Sequence, residues 1–113
     1  MARDLSFWKY EGKNAYVHSE VYARLSDGET IPGIEILPIE EIRVLLDATF
    51  SSWNKLDEWH YEQDGQMIEV FTTEQFVRFD CYCVSEENMN KLIDIMLAYD
   101  CRLYDSAIDV RFE

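Results

Sequence analysis

Asp64-Gly65, set between two alternating runs, constrains the fold of this chain more than any other feature. An Asp-Gly pair favours a two-residue hairpin turn, because both central residues need positive φ and these two tolerate it. Closing that turn pairs Gln63 with Gln66, Glu62 with Met67, Tyr61 with Ile68, His60 with Glu69 and Trp59 with Val70. Trp59, Tyr61, Ile68 and Val70 then share one face, as the buried side of a sheet requires. With Thr73-Glu74 as the next turn, Val70 meets Val77, Ile68 meets Phe79 and Gln66 meets Cys81, and the core face gains Val77, Phe79, Cys81 and Cys83. The opposite face would carry Glu58, His60, Glu62, Met67, Glu69, Phe71, Phe76, Arg78, Asp80 and Tyr82, with Phe71 opposite Phe76 and Glu69 opposite Arg78. The pattern predicts a three-stranded antiparallel meander. Thr-Glu is a weak turn pair, and a looser loop would shift the second register.

The flanking segments fall around this meander. Leu5 to Tyr10 reads as a short strand ending at Glu11-Gly12-Lys13-Asn14. Residues 15–25 fit two patterns, since Val17, Val21 and Leu25 have helical spacing while Val17, Val21, Ala23 and Leu25 also alternate. Gly28, after Ser26-Asp27, resembles a helix stop and decides for helix. Pro38 to Phe50 is a clearer helix, with proline at its start, Glu40 and Glu41 at the positive end of the dipole, and a stripe of Ile39, Ile42, Leu46 and Phe50. Ser51 to Leu56 is its exit loop. Ser85 caps a third helix running to about Tyr99, with Met89, Leu92, Ile93, Met96 and Leu97 on its apolar face. Leu103-Tyr104, a turn at Asp105-Ser106 and a strand bearing Ile108, Val110 and Phe112 complete the chain. The expected fold is a single α+β domain over residues 1–113, with a mostly antiparallel sheet, element order β-α-α-β-β-β-α-β and helices packed on one face.

Charge narrows the partner class. Of 113 residues, 23 are Asp or Glu and 10 are Lys or Arg, for a net charge of −13. The stretch Asp27–Glu74 alone holds twelve acids and two bases. Direct binding to a nucleic-acid backbone, which needs a basic footprint, is disfavoured. Binding to a basic protein is favoured, although surplus charge also serves simply to keep a small protein soluble. Residues 1–15 carry charges throughout and lack the apolar core of a signal peptide, and no apolar run approaches membrane-spanning length. Three cysteines without a secretion signal point to reduced thiols and a cytoplasmic protein.

Motifs for chemistry are sparse. Cys81-Tyr82-Cys83 lacks two further ligands at zinc-site spacing, so no metal site is expected and the cysteines read as small core hydrophobes. His60 falls among Glu58, Glu62 and Glu69, where carboxylates favour the imidazolium, and a surface ion pair suits it better than an acid–base role. His18 receives no role. No phosphate-cradling, nucleotide, metalloprotease or serine-nucleophile motif is present, and four glycines leave little for a phosphate loop. No cofactor and no catalytic residue are expected. The aromatics on the outer face are either covered by the N-terminal elements or stand exposed among the acids as a partner surface.

In size and acidity the chain is similar to small inhibitors of the barstar-type, toxin-immunity and phage anti-defence kinds. The similarity is of composition alone and transfers no residues. The concentration of negative charge around aromatic residues points to an acidic binding protein that neutralises a basic nuclease or nucleic-acid-binding partner. Glu40, Glu41, Asp47, Asp57, Glu58, Glu62 and Asp64 would steer that partner, with Trp53 and Tyr61 as anchors, Tyr61 the weaker because the hairpin register buries it. A small-ligand-binding or catalytic α+β domain with a pocket near His60, and a homo-oligomeric scaffold, are the competing readings.

Overall fold

The computed structural model describes residues 2–112, with strands β1 (Ala2–Trp8), β2 (Asn54–Asp57), β3 (His60–Gln63), β4 (Gln66–Thr73), β5 (Phe76–Tyr82), β6 (Arg102–Asp105) and β7 (Val110–Arg111). The helices are α1 (His18–Ser26), α2 (Ile39–Thr49) and α3 (Glu86–Leu97). All seven strands form one antiparallel sheet in the order β2-β3-β4-β5-β1-β6-β7. The α+β class and the antiparallel sheet are as expected. Two short strands, β2 and β7, extend it at the edges.

The β3–β4 hairpin has the anticipated register, from Gln63 opposite Gln66 to His60 opposite Glu69. Asp64 and Gly65 both adopt positive φ, 50° and 81°, as that turn demands. The next hairpin is displaced by two residues. Val70 faces Phe79, Ile68 faces Cys81, and the turn lies at Glu74-Gln75. A displacement of two preserves which face each side chain takes, so the core row stands while the cross-strand partners change. The cause is Gln75, which is buried and whose amide binds the Ile31 N–H at 2.8 Å and the Ile31 and Ile34 carbonyls at 2.8 and 2.9 Å. Its side chain satisfies three backbone groups of a distant loop and fixes the turn there.

Two cores flank the sheet. On the inner face, Leu5, Phe7, Tyr61, Ile68, Val77, Phe79 and Cys81 pack against Ile42 and Leu46 of α2, Phe50 at its C-cap, and Leu92, Ile95 and Met96 of α3. On the outer face, Val21 and Leu25 of α1 pack with Trp8, Phe76, Tyr104, Ile31 and Ile34. Helices α2 and α3 therefore share a face as expected, and α1 lies on the other. Alternation explains the difference, because Leu5 and Phe7 point inward while Trp8, next in sequence, points outward and needs its own cover.

The helix ends follow their chemistry. Gly28, at φ 84°, closes α1 with Gly28 N–H bonded to Leu25 O and Glu29 N–H to Arg24 O. Ser85 Oγ accepts the Asn88 N–H at 3.2 Å and caps α3. Pro38 sits one residue before α2 rather than inside it. Cys83 departs from expectation. The strand ends at Tyr82, Cys83 turns to φ 57° and is exposed, and only Cys81 and Cys101 are buried. Burial pushes the Cys81 thiol up to about 12 and the Cys101 thiol up to about 11, so both act as apolar fillers. Ile108, Val110 and Phe112 are exposed because β7 contributes only two residues at the sheet edge.

Candidate functional site

Helix α1 covers one end of the outer face and leaves the other open. Across the open end, direct cross-strand partners form a row: Asp57 opposite His60, His60 opposite Glu69, Glu69 opposite Asp80, and Asp80 opposite Asp4. The row crosses β2, β3, β4, β5 and β1 and holds four carboxylates and one imidazole. Glu62, Met67 and Tyr82 form the next row beside it. Tyr82 is 37% exposed, and Leu56 on β2 is 58% exposed.

His60 is clamped between two acids. Its Nδ1 lies 2.6 Å from Asp57 Oδ1, and its Nε2 lies 3.6 Å from Glu69 Oε1. Asp57 is held for this role by the Trp59 N–H, which donates to the same oxygen at 2.9 Å. The hydrogen bond to Asp57, reinforced by the charges of Asp57 and Glu69, raises the His60 pKa above its ordinary value. The same bond lowers the Asp57 pKa. An imidazolium that directs both N–H groups at carboxylates has no lone pair to offer as a base. The two carboxylates therefore favour the cationic form of His60 within the acidic row.

Asp80 is the strained member. Arg78 holds it with Nε at 3.0 Å and a second nitrogen at 3.3 Å. Burial and the facing Asp4 nevertheless raise its pKa, against the pull of Arg78. Asp4 in turn accepts the Tyr22 hydroxyl at 2.7 Å, which ties the open row to α1. Arg78 also stacks on Phe71, its guanidinium carbon 4.9 Å from the ring centroid. That contact and the half-burial of Phe71 against α1 show that the outer aromatics Phe71 and Phe76 belong to the second core.

The sequence-derived partner residues separate into groups. Glu40, Asp47 and Glu58 surround Arg43 at 2.8, 3.6 and 3.7 Å, and Asp47 also meets Lys55 at 2.9 Å. Both bases of the acidic stretch are thus spent on this cluster, which lies where α2 meets β2. Glu41 is exposed on α2 and adds to the forces raising the Tyr99 pKa. Asp57 joins the open row, Glu62 lies beside it next to Asn54, and Asp64 sits at the hairpin tip. Trp53 and Tyr61 are not surface anchors. Trp53 is 9% exposed, its N–H bonded to Phe50 O and its ring edge-on to Phe50 at 5.1 Å, so the chain leaving α2 folds it inward. Tyr61 is 2% exposed and donates its hydroxyl to Asp47 at 2.5 Å. Asp4 is the residue sequence reasoning missed. Its alternation with Leu5 and Phe7 marks it as outward-facing, but no local signal places β1 beside β5.

No protein-family model, curated protein or solved structure matches the chain. Among the described residues, no helix is long and apolar enough to cross a membrane.

Proposed function

We propose that the open half of the outer sheet face is the docking surface for a basic protein, and that the chain acts as an acidic inhibitor occupying that partner's nucleic-acid-binding surface. The observation that carries this reading is the direct apposition of Glu69, Asp80 and Asp4 on three adjacent strands. Like charges directly opposite each other destabilise a sheet. A partner's lysines or arginines would relieve that repulsion on binding, so the row stores a preference for a cationic ligand. Met67, Tyr82 and Leu56 supply apolar contact around it, replacing Trp53 and Tyr61 in that role. The net charge of −13 would speed encounter and select against acidic competitors.

The test compares two immobilised chains, native and the isosteric triple variant Asp4→Asn, Glu69→Gln, Asp80→Asn, exposed to native host lysate at low salt. The native chain should retain a basic protein that elutes with salt and whose binding to nucleic acid it competes away. The triple variant should lose it. Equal retention by both chains, or retention of nothing by the native chain, would overturn the assignment.

A further inference from the structure

At the opposite end of the sheet, the strongly acidic chain brings several cations together. A cavity of about 640 Å³ is lined by Lys9, Lys13, Arg102 and Arg111, four of the ten Lys and Arg in the molecule, against a single acid, Asp100. The ends of β1, β6 and β7 and the loop before α1 bring them together. Of the six cations elsewhere, Arg3, Arg24, Arg43, Lys55 and Arg78 are each paired with an acid within 3.2 Å, and only Lys91, exposed on α3, makes no ion pair among the described residues. In the cavity, Lys9 is shared between Glu35 at 3.3 Å and Asp100 at 3.7 Å, while Lys13 and Arg102 make no ion pair among the described residues. In a chain with 23 acids, two such cations facing one cavity point to an anion from outside.

The cavity also has a flat aromatic wall. Tyr10 and Tyr16 stack with centroids 6.2 Å apart and planes 16° apart, and His18 lies 5.8 Å from Tyr10. Each ring is pinned. The Tyr10 hydroxyl meets His18 Nδ1 at 2.8 Å, and the Tyr16 hydroxyl donates to Pro32 O at 2.6 Å. Arg111 lies over Tyr10 at 4.8 Å and donates to Trp8 O at 2.9 Å, which fixes its guanidinium beside the wall. His18 opens α1, whose N-cap Val17 supplies no side-chain acceptor, so the positive end of that helix adds to the field.

We infer that this cavity is a second binding site, for a small phosphorylated ligand that carries a planar ring, of the size of a nucleoside monophosphate. Guanidinium and ammonium groups match phosphate oxygens, a tyrosine wall stacks on a ring, and the volume suits a ligand of that size. The site is independent of the acidic row.

The test is an amide NMR titration with adenosine 5′-monophosphate, adenosine and inorganic phosphate as probes. The monophosphate should shift signals of Lys13, Tyr16 and Arg102 saturably at millimolar concentration, and bind at least about tenfold more tightly than adenosine or phosphate alone. Arg102→Glu should weaken it by about tenfold or more. Lys91→Glu, which changes net charge equally but sits on exposed α3, should not. Tyr16→Ala should reduce the advantage of the monophosphate over phosphate. Absence of saturable shifts with all three probes, or equal weakening by Arg102→Glu and Lys91→Glu, would overturn the site. Tighter binding of free phosphate than of the monophosphate would overturn the aromatic part.

Discussion

Asp80 shows most directly what single side chains contribute here. Its carboxylate is partly buried, gripped by Arg78 and faced by Asp4, and its pKa is raised. A carboxyl whose folded pKa lies above its unfolded value weakens the fold when ionised, and the penalty disappears as pH falls through the folded pKa. Asp80→Asn should therefore stabilise the chain by about 0.2–1 kcal/mol at pH 7, the scale of a cross-strand charge pair, and by less near pH 4. Urea unfolding at the two pH values measures this. His60 has the opposite sign. Its raised pKa contributes stability that is complete below its ordinary value of 6.5 and is lost as pH rises through the folded value. His60→Gln should flatten the stability profile in that window, and the ring-proton titration of His60 by NMR should give a midpoint above 6.5. A midpoint at or below 6.5 would contradict the two-carboxylate clamp.

At the scale of elements, the two hairpins of the meander show how much sequence can specify. The β3–β4 register was legible because Asp64 and Gly65 carry the whole turn in two residues. The β4–β5 register was not, because its turn depends on the Gln75 amide reaching residues 31 and 34, more than forty positions away. Gln75→Leu removes three hydrogen bonds and strands buried backbone groups of Ile31 and Ile34. It should cost at least about 2 kcal/mol in chemical unfolding, where a surface glutamine would cost nothing measurable. The same kind of distance explains the candidate site. Glu69 and Asp80 could be read as outward-facing from alternation, but Asp4 enters the row only because β1 inserts between β5 and β6. Trp53 illustrates the reverse error, since a loop tryptophan beside acids gives no local sign that it turns inward onto Phe50. Helix α1 is the least obvious element in sequence and decides which half of the outer face is open. Leu25→Ala should destabilise the chain by about 2–5 kcal/mol, as expected for a buried leucine, and increase exposure of Trp8 to quenchers.

For the molecule as a whole, charge is sorted as well as abundant. One row of acids crosses the open sheet face and a second group surrounds Arg43, while Lys13 and Arg102, with no ion pair among the described residues, face the cavity at the other end of the sheet. Such separation gives the molecule a directed field, and steering by that field appears in association rates more than in dissociation rates. In the proposed function, the Asp4–Asp80–Glu69 row receives a basic partner. The most direct test is the association rate of the native chain and of the Asp4→Asn, Glu69→Gln, Asp80→Asn variant with the captured partner, measured across a range of ionic strengths. The native rate should fall steeply with salt, and the variant should be slower at low salt, less salt-dependent and no less stable. Identical salt dependence for the two chains would contradict the proposed function.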